Sequence, residues 1–288
     1  LTKKRKIVLY STNLEKIKLF TKKIKNPFYF GNLPPIRKVN NSILYIHNSY
    51  LTMNLTKLFK LSFKFFIKYG LQQLYIKLFI NNCALTSCQT ESMFNSIILK
   101  YKPKKIEKLP FYQECIKKDV DIKEYDFCYI SMAHPHKNHK LLLKSLKLLD
   151  KYNIKCKIAL TVENYRKELL DDIELINLSS NIVIKNYGTI SKSEVCRIYN
   201  KSKCLVFPSS EESFGLPLIE AAKLNLDIIA PNLYYVFDVV IPTLSFEINS
   251  EKDLAMKMKE YLELEEKKEM KLLVENKIDI IIKKLVSK

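Results

Sequence analysis

The sequence predicts an α/β protein of two domains, the second a doubly wound sheet of parallel strands. Three observations carry that expectation. Beyond residue 125, short apolar runs alternate regularly with segments of helical length. Residues 101–124 are charged, contain Pro103 and Pro110 and lose the periodicity, as a linker does. A chain of 288 residues is long enough for two separate cores. The expected domains are therefore residues 1–120, 121–264 and a charged C-terminal helix over 265–288.

In chain order, Lys6 to Tyr10, Phe28 to Phe30 and Ser42 to Ile46 read as strands, with Gly31-Asn32-Leu33-Pro34-Pro35 as a loop. Leu55 to Phe79 reads as one long helix, or two broken near Gly70. Its lysines at 57, 60, 64, 68 and 77 fall mostly three or four apart among Leu, Phe, Ile and Tyr. Either this is a core helix whose lysines reach into water, or it lies on an anionic membrane surface. It is not a spanning helix, because lysines interrupt every apolar run. Ala84 to Gln89 reads as a strand and Thr90 as the start of a helix, with Glu91 in its first turn. Strands are then expected at 126–131, 155–161, 181–185, 203–207, 227–230 and 243–246. Helices are expected at 139–151, 164–177, 191–200, 216–224 and 251–264.

Charge is unevenly distributed. Residues 1–100 hold 17 Lys and Arg against two acids, a balance of +15, whereas residues 101–288 carry only +4. The first third thus suits an anionic partner: a membrane surface, a phosphorylated acceptor or nucleic acid. The seven cysteines show no CxxC spacing, and several sit in apolar runs. A disulfide framework or zinc cluster is not expected, and a reducing cytosol fits. The chain begins at Leu1 without an initiator methionine, so further N-terminal residues are expected.

The most informative stretch runs from Phe207 to Ala222. An apolar strand stops at Pro208, a polar loop follows, and Gly215 opens a helix. Helix N–H donors at the carboxyl end of a strand suit an anionic ligand, and Glu212 and Glu220 flank the junction. These residues resemble the signature of the family-four retaining glycosyltransferases, which have the two-domain GT-B fold of Rossmann-like domains. In that family a glutamate, Phe-Gly-Leu-Pro and a second glutamate eight positions after the first lie in the donor half. Glu212, Phe214, Gly215, Leu216, Pro217 and Glu220 match, while Ser213 replaces a glycine.

A second junction, Ser131-Met132-Ala133-His134-Pro135-His136-Lys137-Asn138-His139-Lys140, follows the first strand of the second domain. The family has a basic pair here, an arginine and, six positions later, a lysine. Lys137 matches the lysine, and Ser131 stands at the arginine position. The Pro-His-Lys-Asn-His form, the Asn-Leu-Pro-Pro loop and Gln89-Thr90-Glu91-Ser92-Met93 are similar to bacterial surface-polysaccharide transferases. Three histidines within six residues also suggest a metal, yet no nearby acid or cysteine completes a site. His47 ends an apolar strand of the first domain. It is either packed and satisfied by backbone or, as the resemblance implies, a cleft residue near the reacting groups.

The resemblance implies transfer of a sugar, with retention, from a nucleoside-diphosphate sugar to a lipid-linked or polysaccharide acceptor in bacterial surface-glycan (O-antigen or capsule) synthesis. Glu212, Lys137 and His47 would serve catalysis. Ser131, Lys137, Glu212, Ser213, Phe214, Gly215, Leu216 and Glu220 would bind donor, with no metal and no other cofactor. The protein would be cytoplasmic, peripheral on an anionic membrane, and would not bind nucleic acid. No glycine-rich turn follows the first strand, which implies a truncated acceptor domain. Two further readings stay open: a catalytically impaired relative that acts as a binding partner, and a basic nucleic-acid-binding protein.

Overall fold

A computed structural model describes residues 26–117, 122–266 and 269–286. The expected strand at Lys6 to Tyr10 lies outside them. The chain divides into two compact units, residues 1–111 with 276–288, and residues 112–275. The division falls between Phe111 and Tyr112, earlier than the boundary expected near residue 121.

The first unit contains a parallel sheet of β1 (Phe28–Tyr29), β2 (Val39–Tyr45), β3 (Cys83–Cys88) and β4 (Ile106–Lys108), in that order. The edge strand β4 lies in the stretch read as linker, where one isoleucine between charged residues gives almost no strand signal. Helices α1 (Leu55–Leu61) and α2 (Phe63–Phe79) connect β2 to β3, and α3 (Glu91–Tyr101) connects β3 to β4. The break in the long helix is at Ser62, not near Gly70. Ser62 is extended, and its hydroxyl caps α2 by accepting from the Lys64 N–H at 3.2 Å. Gly70 stays helical, and a side chain there would meet Leu55 of α1 in ordinary contact at 3.6 Å.

The second unit is a six-stranded, wholly parallel sheet. Its elements are β5 (Tyr125–Tyr129), α4 (His139–Lys151), β6 (Cys156–Leu160), α5 (Lys167–Ser179), β7 (Ile182–Asn186), α6 (Lys192–Asn200), β8 (Ser202–Val206), α7 (Leu216–Lys223), β9 (Asp227–Pro231), α8 (Tyr234–Phe237), β10 (Val240–Ile241), β11 (Leu244–Phe246), α9 (Glu251–Glu263) and β12 (Lys271–Leu272). The spatial order is β11-β9-β8-β5-β6-β7, and β10 pairs antiparallel with β12 outside it. Phe127, Ile158, Leu205 and Ile229 are fully buried, because helices cover both faces of the sheet.

The tail is not one helix. β12 comes first, and only α10 (Ile278–Val286) is helical. Ile281 of α10 joins a core with Ile43, Tyr45, Leu85 and Leu109 of the first unit, and Lys284 pairs with Glu107 at 2.9 Å.

The cysteines also depart from expectation. Cys115 and Cys196 form a disulfide, with Cα atoms 5.5 Å apart and a sequence separation of 81. The fold lays the stretch after Phe111 against α6, a proximity that spacing along the chain does not reveal. Cys128 and Cys156 are core hydrophobes, and burial pushes both thiols up to about 12.

Candidate functional site

The strand order places a topological switch point in the second unit. From β5 the chain winds through α4 to β6 on one side, and from β8 through α7 to β9 on the other, with β5 and β8 adjacent. A crevice opens at the carboxyl ends of such a strand pair, where neighbouring connections leave on opposite sides. Both sequence motifs lie there. The loop after β5 carries Ser131 and Lys137, and the loop after β8 carries Glu212 to Gly215.

These loops are fastened together. The Ser210 N–H donates to the His136 carbonyl at 2.8 Å, and Asn138 Nδ2 donates to the Pro208 carbonyl at 3.1 Å. Tyr129 Oη donates to the Lys137 carbonyl at 2.8 Å. Lys137 Nζ forms an ion pair with Glu212 Oε1 across the switch point. Both side chains are mostly buried, and the ammonium lies 5.8 Å from the centre of the Phe207 ring. The two residues expected to grip opposite parts of a donor are thus in direct contact. A mostly buried pair of this kind fixes both side chains in place, and an anion arriving beside it meets a positioned ammonium.

Gly215 has φ +67°, and a Cβ there would come within 3.1 Å of Leu218. The left-handed turn lets α7 start at Leu216, with Pro217 in its first turn. Phe214 is buried in the core of the unit, its ring 6.3 Å from that of Tyr112. Its side chain therefore shapes the loop, and only its backbone remains to face a ligand. Glu220, one turn into α7, is buried and forms an ion pair with Lys192 Nζ at the start of α6. Burial raises its carboxyl pKa, and the Lys192 ammonium offsets part of that rise. Sequence reasoning missed Lys192, because nothing in the chain places α6 beside α7.

Ser131 contributes backbone. Its N–H donates to Thr161 Oγ1 at 2.9 Å, and Thr161 returns a hydrogen bond to its carbonyl, which ties the end of β5 to the end of β6. Glu163, also unforeseen, is buried just beyond β6. Its Oε2 accepts from the Ala133 N–H at 2.9 Å, and its Oε1 accepts from the Tyr165 hydroxyl at 3.0 Å. Burial works to raise its pKa, but those donors and Arg166 outweigh it and hold the carboxyl low. The only sequence signal was a lone acid directly after an apolar strand. Glu163 also lines a cavity of about 420 Å³ with Tyr165, Asn186, Tyr187, Gly188 and Thr189, at the carboxyl ends of β6 and β7. The Ala133–Glu163 hydrogen bond ties the Lys137 loop to the wall of this cavity.

Of the three histidines, His134 and His136 stack at 5.9 Å. Burial lowers the pKa of His136, assisted by Lys137. His139 is buried against Tyr129, and burial pushes it down to about 4. His47 belongs to the first unit, just past β2. Its ring stacks on Phe30 at 4.5 Å, and its N–H and that of Asn48 donate to Asn32 Oδ1 at 2.8 and 3.1 Å. Burial lowers its pKa, against a smaller upward effect of the Tyr45 backbone. Asn32 is the second residue of the Gly31–Pro35 loop, so that loop positions His47.

The family description Glycosyl transferases group 1 matches residues 113–277. The O-antigen chain mannosyltransferase RfbU of Salmonella typhimurium is 24 % identical over 216 residues, 73 % of this chain and 60 % of that protein. The tRNA-queuosine alpha-mannosyltransferase of Drosophila melanogaster is 27 % identical over 137 residues, 46 % of this chain and 36 % of that protein. The chain thus spans less than two thirds of either curated relative. The solved structure of Anabaena HepE, in complex with UDP and glucose, superposes with a TM-score of 0.56 at 13 % identity. It covers 77 % of this chain and 62 % of HepE. At that identity the likeness speaks to the fold: two Rossmann-like α/β units of the GT-B kind.

Proposed function

We propose a sugar-transfer function from one premise: the chain belongs to the glycosyl transferases group 1 family. It moves a sugar from a nucleoside-diphosphate donor to a lipid-linked or glycan acceptor, with retention, in bacterial surface-glycan synthesis. The observation that carries this reading is the Lys137–Glu212 pair, set where β5 and β8 diverge on a loop that the Ala133–Glu163 hydrogen bond ties to the cavity wall. Lys137 stabilises the charge that gathers on the departing diphosphate, an interaction stronger in the transition state than in the ground state. Glu212 and the backbone of Ser213 to Leu216 hold the sugar. Glu220 accepts from the ribose hydroxyls, with Lys192 beside its carboxyl group holding it in place. The backbone at Ser131 lines the phosphate side, His47 serves the acceptor side, and no metal or other cofactor is needed. The protein works at the cytoplasmic face of an anionic membrane; no helix among the described residues is long and apolar enough to cross one.

The test is transfer from labelled UDP- and GDP-sugars to a polyprenyl-phosphate-linked acceptor. Lys137→Ala should lower kcat by about 10²–10³, and Glu220→Ala should abolish transfer and weaken nucleotide binding. Wild-type turnover by Glu220→Ala would refute the assignment. A second reading is favoured by Ser131, which leaves the loop one cation short of the family pair: a relative that binds donor but transfers poorly. Donor-induced thermal stabilisation without measurable turnover in the wild-type chain would select it.

A further inference from the structure

Helix α2 carries apolar residues on two opposite faces. On one face the apolar Tyr69 and Ile76 are buried against the first unit, with Gln73 between them donating to the Tyr50 and Met53 carbonyls. Phe63, Ile67, Leu71, Leu74 and Leu78 form a second row on the other side, between 45 and 66 % exposed. Ile67, Leu71 and Leu74 each stand two positions before a buried residue, about 200° round a helix turning 100° per residue. The outward row is thus a straight stripe, about 25 Å long at 1.5 Å per residue over the 17 residues of α2. Phe59 of α1 extends it, its ring edge-on to Phe63 at 6.2 Å. Lys64, Lys68 and Lys77 are exposed beside the stripe.

An apolar row of this size needs an occupant, and charge selects which. Residues 55–79 contain five lysines and no acid, and no acid occurs anywhere from residue 16 to residue 90. A second copy laid along the stripe would oppose lysine to lysine with no carboxylate to pair. An anionic lipid surface satisfies both features: the stripe enters the boundary between headgroups and acyl chains, and the lysines meet lipid phosphates. We propose that α2, with Phe59 of α1, is the surface by which this protein seats on anionic bilayers. This specifies the membrane partner in the preceding reading and rests on that reading only for the acceptor's location.

The test is co-sedimentation of the full chain with vesicles of phosphatidylglycerol and phosphatidylcholine, compared with phosphatidylcholine alone. Binding is expected only to the anionic vesicles and should weaken with salt. Lys64→Gln with Lys68→Gln should reduce it about 30-fold, and Leu71→Ser with Leu74→Ser on the order of 100-fold. Both pairs lie outside the packed face, so melting temperature and UDP- or GDP-induced stabilisation should match wild type. Equal sedimentation of both variants and wild type overturns the proposal. So does a dimer in light scattering that Leu71→Ser with Leu74→Ser converts to monomer, since the stripe is then an interface between copies. Vesicle binding without sugar transfer leaves this proposal standing and counts only against the enzymatic one.

Discussion

Glu220 is where stability and function pull against each other. Its folded-state carboxyl pKa is raised by burial, with Lys192 compensating only in part. Such a group favours folding below its unfolded pKa, and that contribution is lost as pH rises through the folded value. At neutral pH the carboxylate therefore weakens the native state, and Glu220→Gln should melt higher than wild type. Below the usual carboxylate range the two curves should converge, as thermal melts across pH would record. The same variant should lose nucleotide binding, which would separate damage to the site from damage to the fold. The motif residues themselves were legible from the chain, because a glycine between a strand and a helix leaves few alternatives for its neighbours. Lys192, Glu163 and Thr161 were not, because each is brought to the site by strand order rather than by local sequence.

At the scale of elements, legibility followed burial. The parallel strands of the second unit are mostly apolar runs broken by single polar residues, and the structure ends them within a residue or two of the expected positions. β4, β10 and β12 are two or three residues long and carry little signal. The break at Ser62 was missed because a serine cap is chemically quieter than a glycine, and Gly70 drew the boundary instead. Helix α6 shows how a cap reaches the site. Ser191 Oγ accepts from the Glu194 N–H, and Glu194 Oε2 accepts from the Ser191 N–H at 3.0 Å, so a reciprocal cap fixes the first turn. Lys192 is the next residue. Ser191→Ala should cost about 1 kcal/mol in chemical denaturation and, by fraying that turn, loosen the Lys192–Glu220 pair and reduce nucleotide affinity.

For the molecule as a whole, the division of labour follows charge. The first hundred residues carry +15 and the rest +4, and the apolar stripe of α2 with its flanking lysines belongs to one compact unit and the switch-point site to the other. What the chain could not disclose was its covalent closure. The bond between Cys115 and Cys196 closes a ring that runs through β5 and ends midway along α6. A protease that cuts once inside that ring, in an exposed connection such as the one holding Tyr165, produces no separable pieces until a thiol is added. One band on a gel run without reductant and two on a gel run with it would be the signature of that loop.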